Sequence, residues 1–109
     1  MNELSFIGGL RTGWFNATWP FAGLTLDAVG VTVRLFGFVR LRRGYSAVAK
    51  VERIVGGLLG SPGIRIETTD GDWLVFWTFN PKAVLEAFRE HGVRAKASDV
   101  RPPKVWLEP

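Results

Sequence analysis

Few side chains in this sequence are suited to chemistry, and their settings limit what they can do. His91 is the single histidine, in "REHGV". That context reads as a helix C-terminus, where an imidazole interacts with the helix dipole, rather than as a base beside a nucleophile. Cysteine is absent, which excludes thiolate chemistry and disulfides. Ser46, Ser61 and Ser98 stand in turn-like contexts, with no second histidine to activate one of them. Glu67, Asp70 and Asp72 are the right type for a hard cation. Yet Asp70 and Asp72 flank Gly71, where turns favour Asp for backbone reasons, and Glu67 points across the strand. The glycines of "GGLLGSPG" lack the lysine and following helix of a phosphate-cradling loop. The expectation is no catalytic residue, no metal and no cofactor.

The cationic groups carry more information. The formal charge is +4, and residues 1–60 supply it with seven Lys/Arg against three Asp/Glu; residues 61–109 carry seven of each. Arg40, Arg42, Arg43, Lys50 and Arg53 are the candidates for an anionic ligand, with Arg34 close by. Such a patch attracts anionic lipid, nucleic acid or an acidic protein, and it also serves as a solvated edge. Phe36 and Phe38 between Arg34 and Arg40 offer the aromatic and basic interleaving on which single-stranded nucleic acid stacks. The five tryptophans fall mostly at inward or terminal positions, as barrel filling requires, so nucleic acid ranks last among the partners.

The elements that position these groups are mostly short strands. The chain has 109 residues, 47% hydrophobic and 22% charged, which suits one compact domain spanning 1–109. Its core is expected at about 13–93, followed by a tail over 94–109. The most apolar early window, "WFNATWPFAGLTLDAVGV", is broken by Asn16, Pro20 and Asp27, so no uninterrupted run approaches the roughly 18–20 apolar residues of a membrane span. The start "MNELSFIGGL" lacks the basic residues and long apolar stretch of a signal peptide, so the expected location is cytoplasmic.

"WFNATWP" reads as a first strand ended by Pro20. "GLTL" and "VTVRLF" follow as a hairpin joined by "DAVG", with Leu24, Leu26, Val31, Val33 and Leu35 inward and Thr25, Thr32 and Arg34 outward. "FVRLRR" and "AVAKVERIV" make two further strands, and "GGLLGSPG" a loop. The last hairpin is "GIRIETTDGDWLVFWTF", and a two-residue turn at Asp70–Gly71 would oppose Glu67 to Leu74 and Ile66 to Val75. In that register Ile64, Ile66, Trp73, Val75, Trp77 and Phe79 face the core. Leu74 and Phe76 then face outward as candidate interface residues.

"NPKAVLEAFREHGV" is a helix with Asn80 as N-cap, Pro81 at the first position and Val84, Leu85 and Phe88 as its apolar stripe. Gly92 ends it, with Val93 reaching back to Phe88. Val105, Trp106 and Leu107 give the tail something to bury, so it competes with a partner to cover Leu74 and Phe76.

The order of short strands followed by one capped C-terminal helix resembles bacterial pleckstrin-homology-like (PH/GRAM-like) domains. "LTLDAVGVTVR", "YSAVAKVERI" and "GIRIETTDGDWLVFWTFNPKAVLEAFREHG" carry the likeness, over about residues 13–92. The resemblance implies a mainly β fold: a partly open antiparallel barrel of about seven strands in two orthogonal sheets, capped by the helix. It also implies a binding module. In phosphoinositide-binding members, basic residues on the first hairpin hold the phosphates; here that loop is "PFAG", without one. The expected work is binding a protein partner or a second copy of the chain in a homo-oligomer, through Leu74 and Phe76. The alternative is peripheral association with anionic lipid, at the inner face of a membrane, through Arg40, Arg42, Arg43 and neighbouring cations.

Overall fold

A computed structural model describes residues 3–13, 15–56 and 61–100. In chain order the elements are β1 (Leu4–Thr12), β2 (Phe15–Leu26), β3 (Gly30–Leu35), β4 (Phe38–Gly44), a 3-10 turn (Tyr45–Ala47), β5 (Val48–Gly56), β6 (Ser61–Thr68), β7 (Trp73–Trp77), α1 (Pro81–Glu90) and β8 (Ala95–Val100). The fold is mainly β, with seven antiparallel strands in sequence and one C-terminal helix. All strands belong to one sheet in the order β4-β3-β2-β1-β7-β6-β5-β8, and β8 runs parallel to β5. The outer edges of β4 and β8 bond no further strand among the described residues, so the sheet is open.

The two sheets expected from the sequence are one because β1 bonds on both sides. It pairs with β2 along its length and with β7 over Gly9–Arg11. "LSFIGGLRT" was not expected as a strand at all, yet Leu10 within it is fully buried. The ladder between β1 and β2 jumps from Gly8↔Ala22 to Leu10↔Ala17, which leaves Thr18–Phe21 as a wide bulge. The bulge takes Pro20 out of the ladder, where its missing N–H breaks no bond. β2 therefore runs on through Pro20 instead of ending there; the Trp19–Pro20 bond is cis.

The inward set on β2 and β3 is as the alternation predicts: Leu24, Leu26, Val31 and Val33 are fully buried, with Leu35 packed at the margin. α1 packs on β5, β6 and β8 and contributes Val84, Leu85 and Phe88 to the same core. Its ends follow the sequence. Asn80 Oδ1 accepts from Ala83 N at 3.4 Å, and Gly92 adopts φ +82°. Val93 N donates to Phe88 O at 3.1 Å and Gly92 N to Arg89 O at 2.9 Å, the paired bonds of a Schellman ending.

The last hairpin departs from its expected register by one residue. Glu67 opposes Trp73, Ile66 opposes Leu74 and Ile64 opposes Phe76. The loop holds three residues, not two: Gly71 N donates to Thr68 O at 3.2 Å, and Thr68 N donates to Asp72 O at 2.8 Å. Only Gly71 of the pair Asp70–Gly71 has positive φ, at +92°. This is a type I turn with a glycine bulge, whereas a two-residue type I′ turn needs positive φ at both residues. The extra residue flips β7. Leu74 is 1% exposed and Phe76 0%, so neither is an interface residue; both join Ile64 and Ile66 beneath α1. Phe79, expected in the core, is 81% exposed.

Within the expected loop over 56–63, Gly56 ends β5 and Ser61 begins β6. Residues 57–60 lie outside the described residues, as do Val105, Trp106 and Leu107.

Candidate binding surface

The face of the sheet turned away from α1 has two halves that are finished differently. On β5–β7 the outward rows are Glu52–Arg65–Val75 and Ile54–Gly63–Trp77. The Trp77 ring lies over Gly63, where an added Cβ would sit 2.7 Å from it, and its Nε1 donates to Asn16 Oδ1 at 3.0 Å. Arg65 stands 5.4 Å from the Trp73 ring centroid and donates to Glu67 Oε2 at 2.8 Å, with Glu52 at 3.8 Å. Lys50 approaches Glu67 at 3.9 Å. Val75 and Ile54 are buried although they point outward. This half is closed by its own side chains.

On β1–β4 the outward face is more nearly bare, although Thr32 on it is buried. Register places Ile7, Gly23, Arg34 and Val39 in one cross-strand row, and Ser5, Thr25, Thr32 and Arg42 in the next. Ser5 and Thr25 hydroxyls meet at 3.2 Å, as opposed residues should. Ile7 is 62% exposed and Val39 54%. Beyond them an aromatic ridge runs along one end of the sheet. Phe21 and Phe36 touch with ring centroids 5.3 Å apart, and Trp19 meets Phe79 edge-on at 6.2 Å. Phe38, 78% exposed, opposes Leu35 and so emerges at this end from the helix side of the sheet.

Local structure explains why the ridge stands out. The four-residue bulge ejects Trp19 and Phe21 from the ladder, and Gly9 lies so close beneath it that a Cβ there would come within 2.6 Å of Ala17 O. Leu35 pairs directly with Phe38, leaving Phe36–Gly37 as a two-residue turn. Both turn residues have positive φ, +52° and +86°, so the type I′ turn of this chain is here and not at Asp70–Gly71. Phe36 is the only described residue other than glycine with positive φ.

The cationic candidates do not form one patch. Arg40 and Arg42 are exposed on β4, next to the bare face. Arg43 turns away to the last hairpin, reaching Asp70 at 3.5 Å and Asp72 at 3.4 Å. Lys50 is engaged by Glu67. Arg53 opposes Ile64 and so shares the helix-covered face, where it is half-buried. Among the described residues Arg34, Arg40 and Arg42 form no ion pair. Between Leu4 and Gly44 the sequence holds five arginines and one acidic residue, Asp27. Asp27 sits in the turn at the opposite end of β3 from Phe36, and its Oδ1 accepts from Val29 N at 2.8 Å and Gly30 N at 3.0 Å. Those amides, Gly30 first, hold its carboxyl below the usual range.

Glu67, Asp70 and Asp72 are committed to cations and to the turn. The Thr68 hydroxyl donates to Asp70 Oδ1 and, with Asp72 N, lowers the Asp70 carboxyl below its ordinary value. No group of three or more metal-ligating side chains is assembled among the described residues.

Of the ridge, sequence reasoning had Phe36 and Phe38 together with Arg34 and Arg40, and missed Ile7, Trp19, Phe21 and Phe79. One signal was available. Carrying the alternation back from Leu24 through Ala22 sets Phe21 outward beside Phe36. No described helix is long and apolar enough to cross a membrane. Compared with protein families and with curated proteins, the chain matches no family model and no curated sequence.

Proposed function

We propose that this protein is a non-enzymatic binding module of PH-like architecture that associates peripherally with anionic membrane surfaces through the outward face of β1–β4. The observation that carries this reading is a set of exposed aromatic rings beside Arg34, Arg40 and Arg42, which form no ion pair among the described residues, Arg42 alone sensing a carboxylate, that of Asp27. Each basic side chain near an anionic bilayer contributes about 1 kcal/mol, so Arg34, Arg40 and Arg42 together supply roughly a hundredfold in affinity. The apolar row of Ile7 and Val39 gives that attraction a surface to bury.

A protein partner or second copy, the first expectation, loses its anchors because Leu74 and Phe76 are core residues. A symmetric pairing of two copies through this face would gather the arginines of both copies in one interface. Single-stranded nucleic acid needs free ring faces, whereas Phe21 and Phe36 pack on one another and aliphatic side chains occupy the next row.

The test is co-sedimentation with phosphatidylcholine vesicles, with and without phosphatidylglycerol. Binding that requires phosphatidylglycerol, weakens with salt and is lost in an Arg34→Glu/Arg42→Glu variant is the expected result. Equal binding to neutral vesicles, or a shift of single-stranded oligonucleotide in place of vesicle binding, would overturn it.

A further inference from the structure

We infer that Trp19, Phe21, Phe36, Phe38 and Phe79 form a wedge that inserts among lipid head groups, while Arg34, Arg40 and Arg42 respond to summed surface charge rather than to one head group. This rests on the membrane reading above and adds the mode of contact and the lipid selectivity.

A conflict inside the fold marks this tip. Phe36 occupies a left-handed backbone position that costs a bulky residue roughly 1–2 kcal/mol, and where Asn before Gly would fold with less strain. The packing of the core does not require a phenyl ring there. Phe36 is exposed, and the ring it touches, Phe21, is half exposed as well. A strained, outward-facing aromatic at a hairpin tip is the kind of local violation that marks a functional site.

Separate segments also converge there. The β3–β4 turn and the β2 bulge are distant in sequence, yet the Phe21–Phe36 contact brings them to one end of the sheet. The Trp19–Phe79 contact adds the segment leading into α1. The bulge thus joins one exposed ring pair to the β3–β4 turn and a second to the segment before α1. Trp and Phe suit the head-group region, where the indole N–H keeps polar partners while the ring is buried.

The charges are spread rather than clustered. Arg34 and Arg42 lie in different cross-strand rows, one with Gly23 and Val39 and the other with Thr25 and Thr32. Arg43, which would have to join them to enclose a polyphosphate, is held by Asp70 and Asp72. Cations spread along a face sense charge density and do not read the stereochemistry of a single head group.

The experiment uses the full chain with phosphatidylcholine/phosphatidylglycerol vesicles whose acyl chains are brominated near the glycerol end. The chain holds five tryptophans, so the comparison of wild type with Trp19→Phe isolates the ridge. Quenching in the wild type, with most of it lost in Trp19→Phe while co-sedimentation persists, is the expected result. A Phe36→Asn/Phe38→Ser variant, checked for a wild-type melting curve, should bind the same vesicles about tenfold or more weakly. Undiminished binding by that variant, or full quenching in Trp19→Phe, would overturn insertion and leave charge adsorption. Preference for a polyphosphorylated inositol lipid over phosphatidylglycerol at matched charge would overturn the selectivity. Absence of binding to every anionic vesicle would instead overturn the membrane reading itself, so the two failures are separable.

Discussion

Tyr45 stacks face to face on His91, with ring centroids 4.3 Å apart and planes 8° from parallel, while its hydroxyl donates to the Asp27 carbonyl at 2.5 Å. One side chain thereby joins the end of α1 to the turn between β2 and β3. The single histidine of the chain is engaged in packing at a helix terminus. Burial, and after it the Asp27 carboxylate, raises the Tyr45 phenol above its ordinary range. Tyr45→Phe keeps the stack and removes only the hydrogen bond, so urea unfolding should reveal a loss of about 0.5–1.5 kcal/mol. Tyr45→Ala should cost more, because the stack goes too.

Leu74 and Phe76 separate the two registers of the last hairpin. Both are buried against α1, so Leu74→Ala should destabilise by about 2–5 kcal/mol. Phe76→Asp should abolish cooperative unfolding. A folded Phe76→Asp protein, seen by circular dichroism with a sharp melt, would favour the other register.

Gly8 makes the room that Phe76 fills. A Cβ at Gly8 would stand 2.0 Å from the Trp77 carbonyl oxygen and 2.8 Å from the Phe76 ring. Gly8→Ala should therefore cost on the order of 1–3 kcal/mol or more. Combining it with Phe76→Leu should recover little, since the backbone carbonyl still obstructs. Full recovery of the melting temperature in the double variant would contradict this geometry.

Acid should weaken the fold through its turns. The Asp27 carboxyl is lowered chiefly by the Gly30 and Val29 amides, and that of Asp70 by the Thr68 hydroxyl and the Asp72 amide. A folded-state value below the unfolded one, about 3.9, means the stabilisation is fully present above that pH. It is lost as pH falls through the folded values. Urea midpoints should be flat from neutral pH to about 5 and then drop, and Asp27→Asn should remove part of that drop.

Phe36→Asn tests the strain independently of lipid. It relieves roughly 1–2 kcal/mol of backbone cost and gives up a ring pair of about 0.5–1.5 kcal/mol. The melting temperature should equal or exceed that of the wild type. A clear fall would mean that the Phe21 contact matters more to the fold than the turn does.

The sequence by itself determined what depends on neighbours along the chain. α1 was legible because Asn80, Pro81 and Gly92 act within a turn of its ends and Val84, Leu85 and Phe88 recur at its period. The inward set on β2 and β3 was legible because alternation there is strict. Tertiary structure decided what depends on distant strands. β1 is a glycine-bearing segment whose strand character comes from bonding β2 on one side and β7 on the other. Asp70–Gly71 is compatible with either turn, so local chemistry left the register of β7 open. The choice rests on fit: Gly8 admits the Phe76 ring inside and Gly63 admits the Trp77 ring outside, which a one-residue slip would reverse. That same choice removed the expected interface at Leu74 and Phe76. The exposed aromatics gathered elsewhere, where a bulge in β2 and a strained turn at Phe36 meet.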